Sequence, residues 1–192
     1  MSSPPSRSVT SPVESAVARD VRSALRDVPD FPRPGILFKD ITPVLGDAAL
    51  FRDAIEEIAS DFVGAAITHV AGVESRGFII GAPVAQRLGA GFIPVRKPGK
   101  LPAERRRVEY ALEYGRDALE VHADACAGVG PGTARVLLVD DVLATGGTAT
   151  AAAELVESVG GVVVGCAFLL ELAFLRGRDR LERWPVRALV QL

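Results

Sequence analysis

From Thr68 onward the sequence alternates short apolar runs with stretches of helical periodicity, and this alternation limits the fold more than any other feature. Short apolar runs bounded by turn residues are typical of buried strands, whereas apolar residues at every third or fourth position indicate a helix. The predicted strands are Thr68–Val73, Gly91–Val95, Val136–Val139 and Val162–Leu170, and the predicted helices between them are Gly77–Leu88 and Thr148–Val159. Such alternation favours βαβ units, so we expect an α/β fold with a central, mostly parallel, twisted sheet flanked by helices.

Smaller elements are predicted around this sheet. Residues 1–12 are rich in serine and proline and lack apolar periodicity, so we expect a disordered tail there. A helix is predicted over Val13–Val28, and with the loop that follows it would form a small N-terminal hood, residues 13–45, on a single domain of residues 13–192. Asp47 is predicted to cap a further helix. The runs Tyr110–Tyr114 and Leu119–His122 flank a turn and predict a projecting hairpin.

Composition excludes several classes of function. The chain has 192 residues, 22 basic and 24 acidic side chains, and 48% hydrophobic residues. Such a balance disfavours partners such as nucleic acids or anionic membranes, which usually require a basic excess. The longest uncharged run, Ser158–Leu170, is 13 residues, shorter than the about 18 that a membrane-spanning helix needs. Cys126 and Cys166 have no CxxC spacing and no apolar segment resembles a secretory signal, so we expect a cytoplasmic protein.

The segment after the predicted strand Val136–Val139 carries the strongest indication of function. Two acids end the strand, a Thr-Gly-Gly-Thr turn follows, and an alanine-rich helix begins. Parallel sheets bind ligands at this edge, and the free amides of a helix's first turn attract phosphate. Carboxylates repel phosphate but accept hydrogen bonds from sugar hydroxyls. The predicted ribose 5-phosphate site is therefore Asp140, Asp141, Ala144, Thr145, Gly146, Gly147 and Thr148.

The alternative is an Asp-capped glycine turn without a ligand. The sequence does not match two other phosphate motifs, because no lysine follows the glycines as in a P-loop and no GxGxxG follows a strand.

The run Val139–Thr148 resembles the phosphoribosyl pyrophosphate motif of the type I phosphoribosyltransferases. Four further segments, in the same order, resemble the adenine phosphoribosyltransferase family: Phe31–Pro43, Glu74–Phe78, Val95–Pro102 and Leu112–Gly115. The resemblance covers roughly residues 14–190. It implies the type I phosphoribosyltransferase fold and a purine salvage reaction, in which 5-phosphoribosyl passes from phosphoribosyl pyrophosphate to adenine and gives AMP and pyrophosphate.

Two segments are predicted to bind pyrophosphate. At Glu74, Ser75 and Arg76 a strand again meets a helix, where free amides and a guanidinium would hold a second anion. The resemblance implies this role and a cis peptide bond between Glu74 and Ser75. The stretch Arg96–Arg107 has six basic residues and one acid, and it is predicted to be an irregular lid that excludes water. Within it the predicted anion contacts are Lys97 and Lys100, whereas Arg105–Arg107 are interpreted as solvated charge.

The resemblance also implies a catalytic residue and an adenine site. Glu113 would lie beside the five-membered ring of the purine and transfer a proton, a role that a carboxylate within hydrogen-bonding distance can perform. Adenine would lie against Leu37, Phe38 and Lys39, with Leu172 as an apolar wall on its other side. Lys39 stands where family members often carry arginine, which leaves a role for its side chain open.

Mg²⁺ is expected as a cofactor carried mainly by the substrate, and no metal site in the protein itself is predicted. The expected partners are the two small-molecule substrates and a second copy of the chain in a homodimer, with neither nucleic acid nor membrane. The alternatives are a phosphoribosyltransferase for another purine, and a non-catalytic regulator that senses nucleotides on the same fold.

Overall fold

The computed structural model describes residues 14–112, 115–128 and 132–192. The tail predicted for residues 1–12 and the predicted catalytic Glu113 lie outside these ranges. The helices are α1 Ala16–Ala24, α2 Thr42–Gly46, α3 Ala48–Ser60, α4 Arg76–Leu88 and α5 Gly147–Ser158. The strands are β1 Arg26–Pro29, β2 Leu37–Asp40, β3 His69–Val73, β4 Gly91–Val95, β5 Arg105–Leu112, β6 Gly115–His122, β7 Arg135–Leu143, β8 Val162–Glu171 and β9 Val186–Gln191. Short 3-10 turns span Ala173–Leu175 and Gly177–Arg180.

Five parallel strands form the central sheet in the order β4-β3-β7-β8-β9, which confirms the expected α/β architecture. Gly72 of β3 lies opposite Val139 of β7. Because the two strands are parallel neighbours in this register, the residues that follow each of them emerge at the same edge of the sheet. The predicted phosphate loop after β7 and the predicted pyrophosphate segment after β3 are therefore adjacent.

Hydrophobic cores lie on both faces of the sheet. Leu137 and Leu138, consecutive residues of β7, are fully buried in different cores, because successive side chains of a strand point to opposite faces. This explains why β7 reads as a continuous apolar run. Helix α5 packs on one face through its small alanines, and α1, α3 and α4 cover the other face. In the described part of the chain, no helix combines the length and apolar character needed to cross a membrane.

The N-terminal hood differs from the prediction of one helix over Val13–Val28. Ser15 caps α1 by accepting a hydrogen bond from the amide of Ala18 at 3.0 Å, and the helix ends at Ala24. Residues Arg26–Pro29 instead form β1, which pairs antiparallel with β2. Apolar periodicity favours a continued helix at this point. The backbone instead pairs with β2, which begins at Leu37, and this pairing ends the helix. Asp47 caps α3 as predicted, accepting from the amides of Ala49 and Leu50.

The hairpin of β5 and β6 is longer than predicted. Its register runs from Arg105 opposite His122 to Leu112 opposite Gly115. The expectation of an irregular segment up to Arg107 is therefore wrong at its end, where Arg105–Arg107 begin β5. Arg105 pairs with the buried carboxylate of Glu120 at 3.1 Å, and Arg107 pairs with the exposed Glu109 at 2.9 Å, so two of these three charges have acidic partners.

Candidate active site

A cleft of about 550 Å³ opens at the carboxyl edge of the central sheet. Most of the predicted site residues line it: Leu37, Phe38, Lys39, Glu74, Ser75, Arg76, Lys97, Asp140, Asp141, Ala144, Thr145, Gly146, Gly147, Thr148 and Leu172. Lys100 is exposed and does not belong to this lining, although its charge acts on Glu74. The sequence therefore predicted residues that the fold brings together from five separate segments of the chain.

The loop between β7 and α5 brings two consecutive glycines, Gly146 and Gly147, to the cleft. Gly146 precedes the helix with a φ of 80°, in the left-handed region where glycine is favoured. Its carbonyl accepts from the amide and the hydroxyl of Thr150, both at 2.9 Å, which closes the first helical turn. Since glycine has no side chain to cap the helix, the amides of that turn remain available to an anion.

The two acids at the end of β7 differ in their surroundings. The amide of Asp141 donates to Oδ1 of Asp140 at 2.9 Å. Burial, reinforced by the neighbouring carboxylate of Asp141, raises the pKa of Asp140 well above its ordinary value. Asp141 is itself buried, and its Oδ2 pairs with Nε of Arg76. The site thus holds an ion pair beside a carboxyl group whose ionisation is opposed by burial and by a neighbouring carboxylate.

Arg76 connects the two ends of the cleft. It is the first residue of α4, directly after the Glu74–Ser75 peptide bond, which is cis as the resemblance implied. Besides its ion pair with Asp141, its guanidinium lies 5.6 Å from the centre of the Phe38 ring. Arg76 therefore stands between the acids of β7 and the aromatic side chain of the hood.

Glu74 binds the basic segment that follows β4. Its Oε2 accepts from Nε of Arg96 at 2.9 Å and from the backbone amide of Lys97 at 2.8 Å. Burial alone would raise the pKa of Glu74, but these hydrogen bonds lower it below its ordinary value. Both contacts join residues more than twenty positions apart, and the sequence prediction of Glu74 as an anion contact did not include them.

A hydrogen-bonded chain joins the hairpin to the phosphate loop. Asp117 lies opposite Tyr110 in the hairpin register, pairs with Nζ of Lys97 and accepts from the Tyr110 hydroxyl at 3.3 Å. The Thr148 hydroxyl donates to that of Tyr110 at 3.3 Å. Burial opposes the charge of Asp117, yet the hydrogen bond from Lys97 lowers its pKa. Sequence reasoning missed Asp117 because it assigned this residue to the hairpin turn.

The opposite side of the cleft is apolar. Phe38 packs edge-on against Phe31, with 5.1 Å between the ring centres. Leu172 is held at the end of β8, where its amide donates to the carbonyl of Leu143 at 2.9 Å. The ammonium group of Lys39 pairs with Asp27 at 2.6 Å, so this side chain fastens β2 to β1. The cleft therefore combines an apolar slot with a charged region.

Residues 44–188 match the family described as "Phosphoribosyl transferase domain". An adenine phosphoribosyltransferase of Nitrosococcus oceani is 56% identical over 170 residues, which are 88% of this chain and 97% of that protein. The adenine phosphoribosyltransferase of Roseiflexus sp. is 55% identical over 167 residues, which are 87% of this chain and 95% of that protein.

Solved structures agree with these relatives. Adenine phosphoribosyltransferase from Thermoanaerobacter pseudethanolicus superimposes with a TM-score of 0.86 at 51% identity, covering 91% of this chain and 99% of that one. The enzyme from Saccharomyces cerevisiae has a TM-score of 0.82 at 40% identity, covering 90% of this chain and 98% of that one. That structure is a complex with an imino-altritol bisphosphate and adenine. The chain belongs to the adenine phosphoribosyltransferase family.

Proposed function

We propose that this protein transfers the 5-phosphoribosyl group of phosphoribosyl pyrophosphate to adenine, giving AMP and pyrophosphate in purine salvage. The observation that carries the proposal is that the Asp140–Thr148 segment lines the same cleft as Phe38 and Leu172. An anion site, hydroxyl-binding acids and an apolar slot for a flat base are the features that both substrates require. The names of the relatives support the same reaction.

The sugar phosphate is proposed to bind at the β7–α5 junction. The amides of Ala144–Thr148 and the two threonine hydroxyls would hold the 5-phosphate, since they donate hydrogen bonds at a helix N-terminus. Asp140 and Asp141 would accept from the ribose hydroxyls. This arrangement fixes the reacting carbon of the sugar, and catalysis then depends largely on positioning and electrostatics around an oxocarbenium-like transition state.

Pyrophosphate is proposed to lie at the β3–α4 junction, against Ser75, Arg76 and Lys97. In the structure Arg76 and Lys97 pair with acids, so a pyrophosphate must compete with Asp141 and Asp117 for them. Glu74 then acts by holding the Lys97 backbone rather than by touching the anion. Lys100 would reach the pyrophosphate only if its segment closes over the cleft.

Mg²⁺ is proposed to enter with the sugar donor. Magnesium ions at phosphate sites usually combine one or two carboxylates with substrate oxygens, and Asp140 and Asp141 offer that number. When bound there, Mg²⁺ would supply positive charge that offsets the negative charge of the pyrophosphate leaving group.

Adenine is proposed to stack on Phe38, with Leu172 opposite and the backbone of Leu37–Lys39 available to the edge of the base. Glu113 is proposed to move the proton that the attacking ring nitrogen must lose. The base-binding contribution of Lys39 is then its backbone, because its side chain pairs with Asp27.

The reaction is tested by incubating the protein with adenine, phosphoribosyl pyrophosphate and Mg²⁺ and measuring AMP by chromatography. We expect AMP and an equal amount of pyrophosphate, with little product from hypoxanthine or guanine. Formation of product only with another purine would mean that this purine, and not adenine, is the substrate. Tight nucleotide binding without turnover would instead indicate a non-catalytic regulator on the same fold.

We also propose that the protein is a cytoplasmic homodimer. Cys126 and Cys166 are both free thiols, which agrees with a reducing compartment. Light scattering on a sizing column is expected to give twice the chain mass of 20.2 kDa. A mass equal to that of a single chain would contradict the dimer.

A further inference from the structure

The short 3-10 turns that follow β8 pack against the proposed phosphate loop. A Cβ atom added to Gly177 would overlap the carbonyl oxygen of Ala144 and lie 3.1 Å from the amide nitrogen of Gly146. In the same way, a Cβ atom added to Gly146 would overlap the carbonyl oxygen of Gly177. The two glycines therefore bring the two backbones into direct contact, with no room for a methyl group between them.

An ion pair joins this segment to a buried carboxylate at the end of β8. Glu171, the last residue of β8, is 2% exposed, and its two carboxylate oxygens accept from Nε of Arg178 at 2.7 and 2.8 Å. The same guanidinium donates from Nη1 to the carbonyl of Val186 at 2.9 Å. Arg178 thus ties the segment both to the end of β8 and to the start of β9.

The segment is also joined to helix α5 at its other end. The hydroxyl of Thr150, which donates to the carbonyl of Gly146, lies 3.3 Å from the carbonyl oxygen of Arg180. Both contacts hold the stretch that begins with Gly177: the ion pair acts through the next residue, Arg178, and the contact with α5 acts through the carbonyl of Arg180. The position of Gly177 cannot change without moving one of these contacts.

We propose that Gly177 and the Glu171–Arg178 ion pair are positioning residues that hold the backbone of Ala144–Gly146 in the geometry that binds the 5-phosphate. This inference rests on the proposed function of that loop. Backbone amides cannot turn toward a ligand as a side chain can, so the affinity of a loop that binds largely through its amides depends on the surface against which it packs. Gly177 supplies that surface, and the ion pair fixes Gly177.

The test is Gly177→Ala, which adds one methyl group against the loop. The KM for phosphoribosyl pyrophosphate is expected to rise about 10- to 100-fold, as for a small displacement of binding groups, while the KM for adenine stays within about twofold. The dissociation constant of ribose 5-phosphate, measured by calorimetry, is expected to rise in parallel. A structural defect alone would not separate the two substrates in this way.

Gly46→Ala is the matched control, because Gly46 has no left-handed backbone and a Cβ atom there would meet nothing within 4 Å. Its two KM values are expected to equal those of the parent. Arg178→Lys and Arg178→Gln form a second series, in which lysine keeps a charge beside Glu171 and is expected to preserve more ribose 5-phosphate affinity than glutamine. Thermal unfolding identifies the variants that fold.

Parental ribose 5-phosphate affinity in folded Gly177→Ala would overturn the positioning role. If that variant does not fold, parental affinity in both Arg178 variants would overturn it. A parent protein that itself fails to bind ribose 5-phosphate would overturn the proposed function of the loop, so the two failures are distinguishable.

Discussion

Gly146→Ala is expected to lower kcat/KM for phosphoribosyl pyrophosphate by about 100- to 1,000-fold, comparable to the loss of a preorganised oxyanion donor. Two physical effects combine at this residue. Its φ of 80° disfavours any residue with a Cβ atom, and the added atom would overlap the carbonyl of Gly177. The loop must move, and the amides of the first turn of α5 lose their alignment with the 5-phosphate. Steady-state kinetics with saturating adenine measures the loss.

Gly160→Ala is the control that separates the effect of backbone strain from the effect of contact with a neighbouring backbone. Gly160 has a φ of 89°, so alanine there meets the same conformational penalty, but nothing lies within 4 Å of its added Cβ atom. We expect that variant to lose some thermal stability and to keep its kcat/KM. Equal activity in the two variants would contradict the proposed role of the β7–α5 loop.

Glu113→Gln is expected to lower kcat by about 100- to 10,000-fold, which is the usual contribution of a positioned acid or base. Glutamine keeps the shape and hydrogen-bonding capacity of the side chain but cannot take up or release the proton. Because the variant leaves the phosphate loop intact, the KM for phosphoribosyl pyrophosphate is expected to stay close to that of the parent. Initial rates of AMP formation measure both constants.

Glu109→Gln is the control on the same hairpin. Glu109 lies on β5 and pairs with Arg107 at 2.9 Å, with both side chains exposed, and such a pair contributes little. Its kcat is expected to match that of the parent. A parental kcat in Glu113→Gln would remove the proton-transfer role from Glu113.

The elements that sequence analysis located best are short apolar runs bounded by turn residues. Strands β3, β4 and β8 lie close to their predicted bounds, because such runs are typical of strands in a parallel sheet covered by helices. Strand β9 was not predicted. Its residues range from exposed to fully buried without a regular alternation, and they pair in parallel with β8. The prediction for Val13–Val28 was wrong beyond Ala24 for a related reason, since β1 exists only because β2 pairs with it.

In the candidate site, too, sequence analysis found the residues that are neighbours in the chain and missed the contacts that form only on folding. The acids, the glycine turn and the helix start are consecutive in the chain, so local order alone predicts a phosphate loop there, and the structure brings these residues to the cleft. Asp117 was not recognised, because its importance lies in the contact with Lys97, twenty residues earlier. Glu74 was assigned to the anion itself, whereas its carboxylate holds the backbone of Lys97.

The sequence by itself determined the α/β class, the phosphate loop and, through its motifs, the family. These properties depend on periodicity and on residues that are neighbours in the chain. Tertiary structure alone decided which acidic side chain pairs with which basic side chain. It also decided which part of the backbone packs against the β7–α5 loop. The contact of Gly146 with Gly177, like the ion pair of Arg76 with Asp141, joins residues far apart in the chain. Such contacts arise only when the register of the parallel strands brings their carboxyl ends together, since no local pattern encodes that approach.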